Sequence, residues 1–200
     1  KSGAKIKLST EGDTQNVMAE SPDAIVVSCG SRPIRPDISG MNNSNVYNVI
    51  DVDAGRKRVS GRIVVCGGGV SGCESALALA MQGCQVVIVD RIPVSEFAPG
   101  LMSITRTMLL TLLDDYNVEL IGEHIVRSFE KKGVNIEGKD WHYRTLEADY
   151  VVESFGMQSN TGPAESLMEL VPEVYIVGDA MEVKNIKNAN LTAYNICCNI

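Results

Sequence analysis

Six consecutive residues have the types and spacing to hold a phosphate: Gly67-Gly68-Gly69-Val70-Ser71-Gly72. They fit the pattern G-x-G-x-x-G, which is weak by itself. Here it follows an apolar run, Arg62 to Cys66, and opens a segment with Val70, Cys73, Ala76, Leu77, Ala80 and Met81 at helical spacing. In that context each glycine has a task. Gly67 permits a tight turn, and Gly69 has no Cβ to keep a pyrophosphate from the backbone. Gly72 lets the helix pack closely on the sheet. A helix starting at Val70 and Ser71 offers unpaired N–H groups and a partial positive charge, and Gly68 belongs to the same turn.

Asp90 ends the next apolar run, Gln85 to Val89, and lies eighteen residues after Gly72. A carboxylate there hydrogen-bonds a ribose diol, which favours NAD(H) and repels a 2′-phosphate. Arg91 is adjacent and could receive such a phosphate. The spacing therefore predicts an adenine dinucleotide, with NAD ahead of NADP. A packing turn without a ligand would require the whole strand, turn, helix, strand and acid series to be coincidental. Glu74 lies two residues past Gly72. It is either a polar contact near the nicotinamide end or an acid favoured by the helix dipole, and its position suits both.

Other chemistry has little support. His124 and His142 have no Cys or carboxylate at ligand spacing, so they read as surface or meander residues rather than metal ligands. Trp141 reads as a packing residue in a strand. No Ser-His-Asp or Cys-His arrangement can be proposed. The six cysteines (Cys29, Cys66, Cys73, Cys84, Cys197, Cys198) contain no Cys-x-x-Cys pair. Cys66 and Cys73, in apolar patterns, are expected to be buried free thiols in a reducing cytoplasm.

The elements that must position the turn follow from patterning. Lys5 to Ser9 alternates and predicts a short strand. Ala24 to Ser28 is a continuous apolar run, typical of a strand buried on both faces. Val46 to Val52 has weak strand or turn character. The unit from Arg62 to Asp90 is β-α-β, with Gly83 at the expected helix C-terminus. Met102 to Leu113 predicts a helix and Val118 to Ile121 a strand. Segments around Ile125 to Phe129, Val134 to Ile136 and Trp141 to Leu146 predict an antiparallel meander. Tyr150 to Val152 and Val174 to Val177 predict strands, and Ile186 to Ile196 a helix. Strands alternate with helices, so the class is α/β.

Composition sets broader bounds. Hydrophobic residues are 44% and charged residues 22%, the profile of a soluble globular protein. No apolar run reaches the ~20 residues needed to span a bilayer. Lys1 to Thr10 lacks the apolar core of a signal peptide, so a cytoplasmic protein is expected. A net charge of −7 argues against a nucleic-acid partner. A chain opening on Lys rather than Met is expected to be processed or cut.

Three further segments resemble the flavoproteins that bind two dinucleotides. Asp23-Ala24-Ile25-Val26-Val27-Ser28-Cys29-Gly30-Ser31-Arg32-Pro33 resembles their "D-A-x-x-x-A-T-G-S-x-P" segment. Ala148-Asp149-Tyr150-Val151-Val152-Glu153-Ser154-Phe155-Gly156 resembles its second copy. Val174-Tyr175-Ile176-Val177-Gly178-Asp179-Ala180 resembles the "V-Y-x-x-G-D-A" motif. The resemblance implies that Gly30, Gly156, Gly178 and Asp179 serve cofactor binding, with Asp179 on the FAD ribityl chain. It also implies an NAD lobe inserted into an FAD lobe.

Within that superfamily the chain is similar to NADH:flavin oxidoreductases of the 2,4-dienoyl-CoA reductase and trimethylamine dehydrogenase type. Gly3 to Thr10 is similar to their "G-V-x-I-x-L-x-T" strand and Gly67 to Glu74 to their "G-G-G-x-x-G-x-E". Those enzymes carry an N-terminal barrel with FMN and an iron–sulfur cluster. Ser28-Cys29 departs from Ala-Thr, and Ser154-Phe155 from Ala-Leu. The barrel and the first FAD glycine turn are not in this sequence, so the chain is expected to be an excised part that does not retain FAD tightly.

The expected architecture is a Rossmann-like three-layer NAD(P)-binding domain over residues 61–147, inserted in a partial FAD-binding domain formed by 1–60 and 148–200. The expected function is the NAD(H)-binding part of a flavin-dependent oxidoreductase, in which hydride passes from NADH to flavin. A non-catalytic nucleotide-binding or regulatory module is the alternative. A flavin disulfide reductase is disfavoured by the missing Cys-x-x-Cys.

Overall fold

The computed structural model describes residues 3–200; Lys1 and Ser2 lie outside them. In chain order the elements are α1 (Thr14–Met18), β1 (Ala24–Val27), β2 (Ser31–Pro33), β3 (Val46–Asn48), α2 (Val49–Asp53) and β4 (Arg62–Cys66). Next come α3 (Val70–Met81), β5 (Gln85–Val89), α4 (Ser103–Asp115), β6 (Glu119–Ile121), β7 (Ile125–Glu130), β8 (Gly133–Glu137) and β9 (Tyr143–Glu147). The chain continues with β10 (Tyr150–Glu153), β11 (Met157–Ser159), α5 (Gly162–Glu165), β12 (Glu173–Ile176) and α6 (Ile186–Cys197).

The chain divides into two compact units, and the second interrupts the first in sequence: residues 33–156 form one, and 1–32 with 157–200 the other. The unit carrying the glycine turn is therefore wider than 61–147. The reason is β10, which pairs with β4, and β3, which pairs with β10, both as parallel strands of the same sheet.

In residues 33–156 the sheet order is β3-β10-β4-β5-β6, all parallel. Its strands have apolar residues on both faces, as a buried parallel sheet requires. Ile63, Val65, Val86, Ile88 and Val152 join Cys73, Ala76, Leu79, Leu109 and Leu113 of α3 and α4 in one core. Val64, Cys66, Val89 and Val151 face the other way, onto Val126, Phe129, Val134 and Ile136. Those last residues belong to the antiparallel sheet β7-β8-β9. The result is three layers: helices, parallel sheet, meander. This is the expected mixed α/β, Rossmann-like arrangement.

In the other unit β1 pairs with β12 in parallel and β2 with β11. Its core cluster is small, with Val27, Ala164 and Leu167 buried.

Three expectations fail. Ala24–Val27 forms β1 but is not buried on both faces, since Val26 is 38% exposed. Lys5–Ser9 forms no strand, and Ile6 and Leu8 are 80% and 81% exposed. Alternation alone cannot make a strand without a ladder partner. Trp141 is not a packing residue in a strand; it lies in a 3₁₀ turn at φ 63° and is 75% exposed. Short elements without long apolar patterns are added: α1, capped by Asp13, then α5 and β11.

Candidate dinucleotide site

The glycine turn joins β4 to α3 at the carboxyl end of the parallel sheet, where open α/β sheets place ligands. Gly67 has φ 129°, and a Cβ there would come within 2.0 Å of the Ser154 carbonyl oxygen. Gly72 is equally restricted, because a Cβ would lie 2.0 Å from the Gly67 carbonyl oxygen. Gly68 is committed to the protein itself. The Phe97 ring occupies its Cβ direction, and its carbonyl accepts from Ala98 N–H at 2.8 Å. Gly69 differs from all three, since nothing lies within 4 Å of a Cβ built on it and its φ is −68°. Neither backbone strain nor a protein neighbour requires glycine at 69.

Gly69 is also the N-cap of α3 and supplies no side-chain cap. The first N–H groups of a helix have no carbonyl four residues back to bond. The first turn of α3, Val70 to Gly72, therefore presents donors and the positive end of the helix dipole. A diphosphate is the group that fits this arrangement.

Asp90 sits half-buried just past β5. Its Oδ2 accepts from Gly68 N–H at 2.6 Å and its Oδ1 from Ile92 N–H at 3.2 Å. The carboxylate thus ties the glycine turn to the strand end. This corrects the view of a strand-end acid that only awaits a ribose.

A cavity of about 440 Å³ collects the predicted residues Gly67, Gly69, Asp90, Arg91 and Gly156. It also takes in Ser154, Phe155, Pro99 and His124, none of which was predicted to bind. Ser154 and Phe155 arrive because β10 lies beside β4 and runs parallel to it. Ser154 N–H donates to the Cys66 carbonyl at 2.8 Å. Glu153, just before them, is buried; its Oε1 lies 3.3 Å from Arg35 Nε and its other oxygen has no hydrogen-bond partner.

Glu74 is not brought to this cavity. It is exposed and lines a separate cleft with Val52, Lys57, Arg58 and Gln82. Val70 and Ser71 begin the helix beside the cavity without lining it. The thiols below the turn are inert: burial pushes Cys73 up to about 11 and Cys66 far above the ordinary thiol range. Both stay protonated at neutral pH, and thiolate is the nucleophilic form.

The other unit gathers the remaining predicted residues. Gly30 and Gly178 follow β1 and β12, whose Val27 carbonyl accepts from Val177 N–H at 3.0 Å. Asp179 opens beside them. Its Oδ2 lies 3.5 Å from Ser31 Oγ and its Oδ1 accepts from Lys184 N–H at 3.3 Å. Two neighbouring parallel strand ends with a carboxylate between them have the polarity to receive a ribityl or ribose hydroxyl. Among the described residues, no three His, Cys, Asp or Glu side chains form a group that could hold a metal. No described helix is long and apolar enough to cross a membrane.

Known proteins share this arrangement. A bilirubin reductase of Mediterraneibacter gnavus is 30% identical over 177 residues, 88% of this chain and 27% of that protein. An NADH oxidase of Thermoanaerobacter brockii is 28% identical over 206 residues, 100% of this chain and 31% of that protein. The solved structure of a 2-naphthoyl-CoA reductase superposes with a TM-score of 0.90 at 28% identity, covering 99% of this chain and 30% of that one. The chain thus spans about three-tenths of these relatives. Residues 2–193 match the family described as pyridine nucleotide-disulphide oxidoreductase, and this chain belongs to that family.

Proposed function

We propose that this chain is the NAD(H)-binding part of a flavin-dependent reductase of the 2,4-dienoyl-CoA reductase and trimethylamine dehydrogenase type. NADH is a two-electron hydride donor, and flavin is the acceptor that such a reductase supplies. The contribution of this chain is binding and orientation. The first turn of α3 holds the diphosphate, Asp90 receives the adenosine ribose, and Ser154 to Gly156 form the wall toward which the other half extends. The carboxylate favours NADH over NADPH. In the unit formed by 1–32 and 157–200, Gly30, Gly178 and Asp179 are the residues that would meet FAD. The barrel, FMN, iron–sulfur cluster and final substrate belong to the rest of the longer parent. Two relatives named as reductases, of bilirubin and of 2-naphthoyl-CoA, support an organic acceptor there.

The carrying observation is the contrast among the glycines. Gly67, Gly68 and Gly72 are dictated by neighbouring protein atoms, whereas Gly69 faces open space. Gly69→Val should therefore keep the fold and its far-ultraviolet circular dichroism. Its NADH Kd should rise more than about tenfold, since even one lost bond to a charged group is worth ~1.5–3 kcal/mol. Calorimetric titration measures it. Equal NADH binding by the variant would remove the ligand from this turn.

A further inference from the structure

From the geometry around the β6–β7 connection we infer that His124 is the platform on which the adenine base of the dinucleotide stacks. This rests on the reading of the cavity as an NAD(H) site and assigns a residue with no role so far. His124 lines the same cavity as Gly69, Asp90 and Arg91. Its backbone is stitched to the Asp90 segment: His124 N–H donates to the Asp90 carbonyl, and Glu123 N–H to that of Ile92, both at 3.0 Å. His124 thus follows β6 beside the segment that carries the ribose-binding carboxylate, and β5 separates β6 from β4 and its glycine turn.

The edge of the ring is already occupied. Nδ1–H donates to the Gly122 carbonyl at 2.7 Å. One face of the ring lies against Gly138, where a Cβ would come within 2.7 Å of Nε2 and almost as close, 3.1 and 3.2 Å, to both Cδ2 and Cε1. A half-buried ring fixed at Nδ1 and covered on one face has its second face to offer the cavity. The same cavity is lined by Ile92, Pro99 and Ile125, and Ile125 is 47% exposed although it opens a strand. A flat aromatic face in a cavity with apolar lining, on a segment hydrogen-bonded to the one that carries Asp90, fits a purine. Stacking uses the π-face of the base, and histidine serves as such a platform elsewhere.

The test uses this 200-residue chain with NADH, ADP-ribose and 5′-AMP as probes. His124→Ala should raise the Kd of all three about 5- to 150-fold, the equivalent of the ~1–3 kcal/mol of an aromatic–base stack. His124→Phe, which keeps a flat face and loses both nitrogens, should restore most of the affinity. Gly138→Ala, which pushes the intact ring out of place, should weaken binding in the same direction. The chain has two histidines, so proton NMR resolves both. AMP should move the His124 ring protons upfield by ring current and leave those of His142 unchanged. If the wild-type chain binds AMP but His124→Ala binds it equally, or the His124 protons do not move, the stacking is wrong and the dinucleotide site stands. If the wild-type chain binds none of the three probes, the dinucleotide reading itself falls, and this inference with it.

Discussion

Asp90 carries two duties that its sequence position does not separate. As an acid eighteen residues past the glycine turn it suits a ribose diol. In the structure both oxygens already accept backbone N–H groups, from Gly68 and Ile92. A carboxylate oxygen has two lone pairs, so a ribose can still be bound, but the side chain also fixes the turn. Asp90→Ala should therefore lower stability by about 1.5–3 kcal/mol, the range for hydrogen bonds to a charged group, and weaken NADH as well. Asp90→Asn separates the duties. Its amide oxygen can still accept from Gly68 N–H while the negative charge is gone. The Asn variant should melt closer to wild type than the Ala variant, and the preference for NADH over NADPH should narrow in both. Thermal melts and paired Kd values measure this. A wild type that prefers NADPH would make Arg91 the dominant contact and reverse the assignment.

At the scale of elements, β4, α3 and β5 were legible because each is long, apolar and local. Arg62 to Asp90 contains the turn, the helix and the acid within a single βαβ unit, so spacing alone assembled them. Ser154, Pro99 and His124 were not legible as site residues. They reach the cavity through the sheet order β3-β10-β4-β5-β6 and the loops after β5 and β6, which no local pattern encodes. Phe97 would have been recognisable only as an apolar residue in a polar loop, yet its buried ring covers Gly68. The meander was legible as three strands, but not the ion pair across it. Arg127 of β7 bonds the carboxylate of Glu137, which is buried at the end of β8. The Arg127 hydrogen bond holds the Glu137 carboxyl below the usual carboxylate range. A depressed carboxyl contributes stability that is fully present above its unfolded pKa of about 4.3 and is lost as pH falls through the lower folded value. Glu137→Gln should thus be less stable than wild type at neutral pH, and the gap should close below about pH 4.3. Urea denaturation across that range checks it; a gap that stays constant with pH would mean the pair adds nothing beyond packing.

At the scale of the whole chain, the two units differ in how much apolar surface they bury. Residues 33–156 contain both large clusters, one on each face of the parallel sheet. Among the described residues of 1–32 and 157–200, the cluster is small and centres on Val27, Ala164 and Leu167. Parallel strands are ordinarily covered on both faces, yet Val26 in β1 is 38% exposed and the strand β12 has no fully buried residue. Opening free energies follow buried apolar contacts, so the two units should not open together. Amides of Val64, Val65, Val87 and Ile88 should exchange slowest, near the limit set by global unfolding. Those of Val26 and Tyr175 should exchange through smaller openings, at least about tenfold faster for each 1.4 kcal/mol of difference. Limited proteolysis should cut first within 157–200 and leave a resistant fragment near 33–156. Saturating NADH should then slow exchange further at Gly67 to Gly72, Asp90 to Ile92 and His124 to Val126, and leave Val26 and Tyr175 as they were. Equal protection of Val26 and Val64 in the free chain would show a single cooperative unit, and the ranking by buried core would be wrong.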